Sequence, residues 1–188
     1  AAADLAHLLA DPEAPVRASA ARAVAVHGRD GGVPLLHLKA LAGDAEPRVV
    51  AECLLSVLRL DPGDGLAFVA SFFDRGDAAA EAAAVALGES RRADALPLLR
   101  GWLDRASHRG LSRTALLAIA SLRRDEAIDL LLELAREEPG PLAREALSAL
   151  ASVGGGEALY ERARAAIEAR PELKDALGRA FGRDASGE

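Results

Sequence analysis

The sequence has no methionine, asparagine or glutamine, only one cysteine, and aromatic residues at just 3% of its length. A single cysteine excludes a disulfide within the chain. Isoleucine and threonine are scarce, and no segment alternates apolar and polar residues for long, which argues against β-strands. The apolar residues are mostly alanine, leucine and valine, which allow helices to approach each other closely. These shortages predict an all-α protein.

Signals for membrane insertion and secretion are also missing. No apolar run is long enough to cross a bilayer, and the first residues lack the basic and then apolar pattern of a secretory signal. We therefore expect a cytoplasmic protein with no membrane partner. Because methionine is absent, we also expect that the sequence begins inside a longer gene product. Lysine supplies only two of the 23 basic residues, a bias that we interpret as the codon usage of a GC-rich bacterial genome.

Positive charge is in deficit, since the net charge is −6 at neutral pH. Recognition of nucleic acid relies on a basic surface that neutralises phosphates and releases their counterions. The acidic composition therefore disfavours nucleic acid as the partner.

A helical pattern of apolar residues recurs along the chain. In its clearest copy, residues 142–154, the apolar residues lie on one side of a helix and the polar residues on the other. Its buried side includes Leu150. Four more copies lie upstream, and the starting residues are spaced by 33, 30, 32 and 31 residues: Val16, Val49, Ala79, Leu111 and Leu142. A period of this length is typical of a solenoid, in which each repeat packs on its neighbours.

Further helices separate the copies, and turns of two to five residues join them, which gives about eleven helices in total. Turns this short make sequential helices antiparallel, so the helices pair as hairpins. One hairpin has too little surface to bury its own apolar side, and hairpins must therefore stack. We predict one α-solenoid of about five to six hairpins over residues 1–182, followed by a frayed tail at residues 183–188.

The first copy contains an acidic turn residue, a Val-Arg pair, an Ala-Ala pair and a closing glycine within residues 11–28, DPEAPVRASAARAVAVHG. The third copy adds Ala-Leu-Gly at residues 86–88. This arrangement resembles the HEAT repeat, and in particular the short repeats of the phycobilisome-lyase type, over residues 1 to about 170. The resemblance implies a right-handed α-solenoid of stacked helix hairpins. In such solenoids the second helix of each hairpin normally faces the concave side.

In HEAT repeats, the acidic turn residue and the arginine after the first valine often pair between neighbouring repeats. Asp11 and Arg17 match these two positions. The later copies have other residues at the position of Arg17, so the resemblance does not imply a continuous ladder of such pairs: Val50, Ala80, Ser112 and Ala143.

Some proteins of this architecture are enzymes, but the residues that their chemistry needs are missing here. Deoxyhypusine hydroxylase binds iron through paired His-Glu dipeptides, and this sequence has no such dipeptide. No two histidines are three or four residues apart, the spacing of a metal-binding pair on a helix. A phosphate-binding loop and a Ser-His-Asp arrangement are absent as well. We therefore predict a non-enzymatic protein without a catalytic residue, metal or cofactor.

Two enzyme-related alternatives follow from the resemblance. Alkylpurine DNA glycosylases of this architecture use a basic groove with aromatic residues and a carboxylate. Trp102, Arg100 and Asp104 would have to supply these groups, although they lie on the first helix of a hairpin, on the convex side. The second alternative is a bilin-lyase-like or other enzyme-associated subunit. No convergent set of polar groups indicates a chromophore pocket for it.

Two titratable side chains fall on the buried side of the pattern. Cys53 occupies a position that alanine has in the other four copies, which predicts a small buried residue rather than a reactive thiol. His27 occupies the position of Leu60, Leu122 and Val153, and we expect a semi-buried imidazole there.

A partner-binding surface is predicted on the side of the second helices opposite the core. Leu55, Val85 and Leu117 occupy one helical position in three consecutive copies, where contact with water is expected. Charged residues flank this apolar stripe: Arg22, Glu52, Arg59, Glu89 and Arg113. An apolar strip with a polar rim is typical of a surface that binds a protein or peptide. The alternative is that curvature buries the three apolar side chains against adjacent helices.

Overall fold

The computed structural model describes residues 2–27 and 31–183, most of which lie in helices. The backbone divides into two units, Ala1–Ser90 and Arg91–Glu188. Neither unit contains a β-strand within the described residues. The all-α prediction is therefore confirmed.

Some predictions concern residues that the structure does not describe or the arrangement of the two units as one solenoid. The closing Gly28 of the first copy and residues 184–188 of the predicted tail lie outside the described residues. The single solenoid over residues 1–182 stays a prediction.

The first unit consists of three helix hairpins. In chain order its helices are α1 (Ala2–Leu8), α2 (Ala14–His27), α3 (Gly32–Ala42), α4 (Pro47–Leu60), α5 (Gly65–Ala70), which continues into a 3-10 turn (Ser71–Asp74), and α6 (Asp77–Ser90). The second helices of the hairpins, α2, α4 and α6, pack side by side, and the first helices pack against this layer. The central helix is α4, in which all ten residues from Val49 to Leu58 are buried.

The second unit is constructed in the same way. Its helices are α7 (Ala95–His108), α8 (Ser112–Ser121), α9 (Asp125–Glu137), α10 (Gly140–Ser152), α11 (Gly156–Ala166) and α12 (Lys174–Ala180), the last preceded by a 3-10 turn (Pro171–Leu173). The second helices are α8, α10 and α12, and α10 contacts both of the others. The described residues thus form twelve α-helices in six hairpins, in agreement with the predicted stacking of antiparallel hairpins.

Proline and glycine determine several helix ends. Pro47 is the first residue of α4, a position whose N–H would have no partner within the helix. Gly43 ends α3 with a φ of 78°, and its N–H donates to the carbonyl oxygens of Lys39 and Ala40. These ends reverse the chain within a few residues and bring α3 and α4 together.

The repeated pattern identifies the core correctly in most places. Its five copies lie on α2, α4, α6, α8 and α10, and Leu150 on the buried side of the clearest copy is fully buried. Cys53 is also fully buried, and burial raises the pKa of its thiol to about 12. The prediction of a buried cysteine is therefore confirmed.

The prediction for His27 is wrong, because this residue is exposed. Helix α2 ends at His27, and its last buried side chain is Val24. The imidazole therefore lies beyond the packed part of the helix, a result that the periodicity alone does not reveal.

An ion pair joins the first two hairpins of the first unit. Nε and Nη2 of Arg17 donate to the carboxylate of Asp44 at 2.8 and 2.7 Å. Nη1 of Arg17 donates to the carbonyl oxygens of Asp11 and Pro12, both at 2.8 Å. Since Asp44 is the acidic turn residue of the next hairpin, this is the pairing between neighbours that the HEAT resemblance implies.

The carboxylate of Asp44 is strongly stabilised in its charged form. Its side chain is only 3% exposed, and Nζ of Lys39 lies 2.8 Å from Oδ2. The hydrogen bond from Arg17, together with those from Lys39 and the backbone of Glu46, holds the pKa of Asp44 well below its usual value of 3.8. The equivalent of Arg17 in α4 is the buried Val50, which cannot form a second pair of this kind.

We expect Leu150→Ala to lower the free energy of unfolding by about 2–5 kcal/mol, because it leaves a cavity among the buried side chains of α10. Urea denaturation measures the difference. As a control, Leu38→Ala on α3, where the side chain is 67% exposed, should change the stability by less than about 0.5 kcal/mol. Equal stability of Leu150→Ala and the parent protein would show that this side of α10 does not pack in a core.

We expect Asp44→Asn to destabilise the protein by about 1–3 kcal/mol at neutral pH. The substitution replaces the charged carboxylate that accepts hydrogen bonds from Arg17 and Lys39 by a neutral amide. The folded protein lowers the pKa of Asp44, so the carboxylate contributes stability above the usual pKa of 3.8. This contribution is lost as the pH falls below that value. Thermal unfolding, measured at neutral pH and at about pH 3, should therefore show a smaller difference in unfolding temperature between Asp44→Asn and the parent protein in acid. A difference independent of pH would contradict this assignment.

Candidate functional site

The predicted partner-binding residues of the first unit lie on its layer of second helices. Its six members come from α2, α4 and α6: Arg22, Glu52, Leu55, Arg59, Val85 and Glu89. Arg59, Val85 and Glu89 are exposed. Val85 is 40% exposed, although Ala84 and Ala86 on either side of it are buried. An apolar side chain thus contacts water at one of the two stripe positions in this unit.

The residue at the other stripe position, Leu55, is buried, contrary to the prediction that it contacts water. This side chain is only 3% exposed, because α4 lies between α2 and α6 and has neighbours on both flanks. The alternative interpretation, in which a stripe residue is buried against adjacent helices, is therefore correct for Leu55. A change at this position would disturb the core.

Arg22 and Glu52 connect two of the second helices. Nη1 of Arg22 lies 2.5 Å from Oε1 of Glu52, and Nη2 of Arg22 donates to the hydroxyl of Ser19 at 3.1 Å. Glu52 is 8% exposed, whereas 43% of the Arg22 side chain is exposed. The charge of Arg22 is therefore largely used to compensate a buried carboxylate, which leaves less of it for a partner.

A groove of about 370 Å³ lies between α2 and α4 in the first unit. Its polar lining includes Ser19, Arg22, Glu46 and Arg48. Alanine, proline and valine side chains complete the walls: Ala14, Pro15, Ala18 and Val49. The groove has charges of both signs, and only Arg22 among its residues belongs to the predicted set.

A groove of the same volume, about 370 Å³, lies between α8 and α10 in the second unit. It is lined by both predicted residues of this unit, Arg113 and Leu117, of which the first is exposed and the second half-buried. From α10 the groove receives Pro141, Arg144, Glu145, Ser148 and Ala149. The predicted residues of the second unit are therefore brought together at one concave feature.

One carboxylate in this groove is linked to the neighbouring helix. The hydroxyl of Ser112 at the start of α8 donates to Oε2 of Glu145 at 2.5 Å. In the repeated pattern, Glu145 corresponds to Glu52 of the first unit. Each unit thus has a glutamate on its second helices that binds a polar group of the preceding hairpin.

Two basic residues that line the grooves are not among the predicted partner-binding residues: Arg48 and Arg144. Arg144 lies on the polar side of the clearest copy, so its exposure follows from the pattern. Its proximity to Arg113 does not follow, because it depends on which sides of α8 and α10 face each other. Arg48 lies just before the start of the second copy, where the pattern makes no statement.

The residues proposed for a glycosylase do not form a base-binding site. Trp102 is fully buried, so its ring cannot stack on an extruded base. Arg100 and Asp104 are exposed on α7. The buried indole instead fills the space between helices of the second unit as a core residue.

Clusters of metal-binding side chains and membrane-spanning helices are both absent from the described residues. No group of three or more histidine, cysteine, aspartate or glutamate side chains there has the proximity needed to bind a metal ion. No described helix has the length and apolar character that crossing a membrane requires.

Comparisons with known proteins give a family match and several similar structures. Residues 68–151 match the family model of HEAT repeats, and no curated protein matches the sequence. Two of the similar structures are crystal structures of engineered proteins that were targets of the Northeast Structural Genomics Consortium. The first is 17% identical with a TM-score of 0.41, and the alignment covers 96% of this chain and 93% of that chain. The second is 18% identical with a TM-score of 0.40, and the alignment covers 98% of this chain and 58% of that chain.

The family match concerns the repeat itself. It covers α6, α7, α8 and α9 in full and most of α10, which include three copies of the repeated pattern. The phycobilisome-lyase type of repeat stays a prediction. The match to residues 68–151 supports the HEAT-repeat family for this chain.

Proposed function

We propose that this chain is a non-enzymatic interaction module, which binds a helical or extended segment of a partner protein on the outward side of its second helices. It acts in the cytoplasm, the location that the sequence predicts. The observation that supports this proposal most directly is the exposure of Val85 within a helix that is otherwise rich in buried alanine.

The surroundings of Val85 suit a partner that presents an apolar side chain. On α6, Val85 lies one helical turn before the exposed Glu89. Arg59, at the end of the neighbouring α4, is exposed as well. An apolar residue on the same layer of helices as exposed charges of both signs resembles the centre and rim of a protein interface.

The second unit has the corresponding combination. Leu117 occupies the same position in its copy of the pattern as Val85, and it is half-buried in the wall of the α8–α10 groove. Arg113 lies one helical turn before Leu117 and is exposed. Each unit therefore offers at least one accessible apolar residue and at least one exposed charge on its second helices.

Binding to such a surface loses little conformational entropy on the side of this protein. The residues concerned lie on helices whose opposite sides are fixed in a core. A partner then loses mainly its own freedom when it binds, which favours recognition by a preformed surface.

We expect the double variant Val85→Ser, Leu117→Ser to lose capture of its partner while remaining folded. Both side chains are accessible, so the stability should fall by no more than about 1 kcal/mol. Affinity capture from the native lysate, followed by mass spectrometry, measures the recovery of each bound protein. Leu55 is left unchanged in this experiment because it is buried.

The matched control is Leu38→Ser, Leu41→Ser, which removes two exposed leucines from α3, a first helix. This control should capture the partner as the parent protein does. Unchanged recovery of every bound protein with the Val85 and Leu117 variant, or equal losses with both double variants, would contradict the proposed surface.

A further inference from the structure

We infer that the partner segment presents a carboxylate side chain to the groove between α8 and α10, where Arg113 and Arg144 bind it. This inference rests on the proposed function and specifies the chemistry of the partner. It follows from a comparison of two grooves, which differ in whether their arginines are paired with carboxylates of the chain.

Two arginines in the α8–α10 groove have no partner among the described residues. Arg113 and Arg144 are both exposed, and neither forms a hydrogen bond or an ion pair within the described part of the chain. The only carboxylate in the lining is that of Glu145, and one of its oxygens accepts a hydrogen bond from the hydroxyl of Ser112. Two guanidinium groups therefore face one carboxylate, in a protein whose net charge is −6.

The α2–α4 groove of the first unit is an internal reference. It also contains two arginines, but Arg22 is paired with Glu52 at 2.5 Å, and Arg48 shares the lining with Glu46. One of the two arginines of this groove is therefore paired with a carboxylate of the chain itself. In the α8–α10 groove, neither arginine has such a pair among the described residues.

The shape and lining of the α8–α10 groove also suit an acidic residue of a peptide. Guanidinium groups bind carboxylates through charge-assisted, often bidentate hydrogen bonds. Leu117, Pro141 and Ala149 provide apolar contacts for the stem of the side chain or for its neighbours, and Ser148 adds a hydroxyl. A nucleic-acid phosphate would also bind two arginines, but a nucleic acid repeats its negative charge at every nucleotide and is repelled more strongly by the net charge of −6 than a peptide segment with a carboxylate beside apolar residues.

Fluorescence anisotropy with labelled peptides tests this inference. The probes are a short peptide of alternating glutamate and leucine, the same peptide with glutamine in place of glutamate, and single-stranded oligothymidylate. We expect binding of the glutamate peptide, weaker binding at higher salt, and no comparable binding of the other two probes. The variant Arg113→Glu, Arg144→Glu should weaken binding of the glutamate peptide by at least about tenfold.

The control variant is Arg91→Glu, Arg100→Glu, which makes the same change of charge at exposed sites of the second unit outside the α8–α10 groove. It should bind the glutamate peptide with nearly the affinity of the parent protein. Equal binding of the glutamine peptide or of oligothymidylate would overturn the inference. Equal losses in the two charge variants would overturn it too, because they would indicate attraction by the overall charge rather than a site.

The same variants separate this inference from the proposed function. If Val85→Ser, Leu117→Ser abolishes capture of the partner but Arg113→Glu, Arg144→Glu does not, the interaction surface stands and the acidic partner is excluded. If the glutamate peptide binds as expected while the Val85 and Leu117 variant still captures every partner, the proposed surface is wrong and the carboxylate site remains.

Discussion

Burial of one helix between two others is the constraint on which each unit depends. In the first unit, α4 lies between α2 and α6, and in the second unit α10 lies between α8 and α12. Such a layer forms only if the helices approach closely, which explains the abundance of alanine on α2 and α6, the helices on either side of α4. Small side chains allow short distances between helix axes, and the larger leucines then fill the space towards the first helices.

Polar contacts supplement this packing at a few defined places. Arg17 and Asp44 join the first two hairpins at their turns, and Arg22 and Glu52 join the same hairpins farther along α2 and α4. Ser112 and Glu145 form a comparable link in the second unit. Arg113 and Arg144 take part in none of these contacts, and the proposed binding of a carboxylate depends on these two arginines.

The sequence predicted the helices and the buried side of most second helices, because both follow from a periodic pattern that local contacts enforce. It failed at His27 and Leu55 for two different physical reasons. The first lies at the end of α2, beyond Val24, which is the last buried side chain of that helix. The second lies on the flank of a central helix, and its burial depends on the separation of α4 from α2 and α6. Arg113 and Arg144 line the same groove because of how α8 and α10 face each other. The periodic pattern within one helix does not predict which sides of two helices face each other.

The all-round burial of α4 has a consequence for the history of this chain. A helix with an exposed side can accumulate substitutions there at little cost, whereas a helix without one accepts few changes anywhere along its length. Ten consecutive buried residues, from Val49 to Leu58, leave α4 without an exposed side between Arg48 and Arg59. Among diverged relatives, α4 should therefore change more slowly than α1 or α3, and its sequence should be the most reliable marker for recognising distant copies of the first unit.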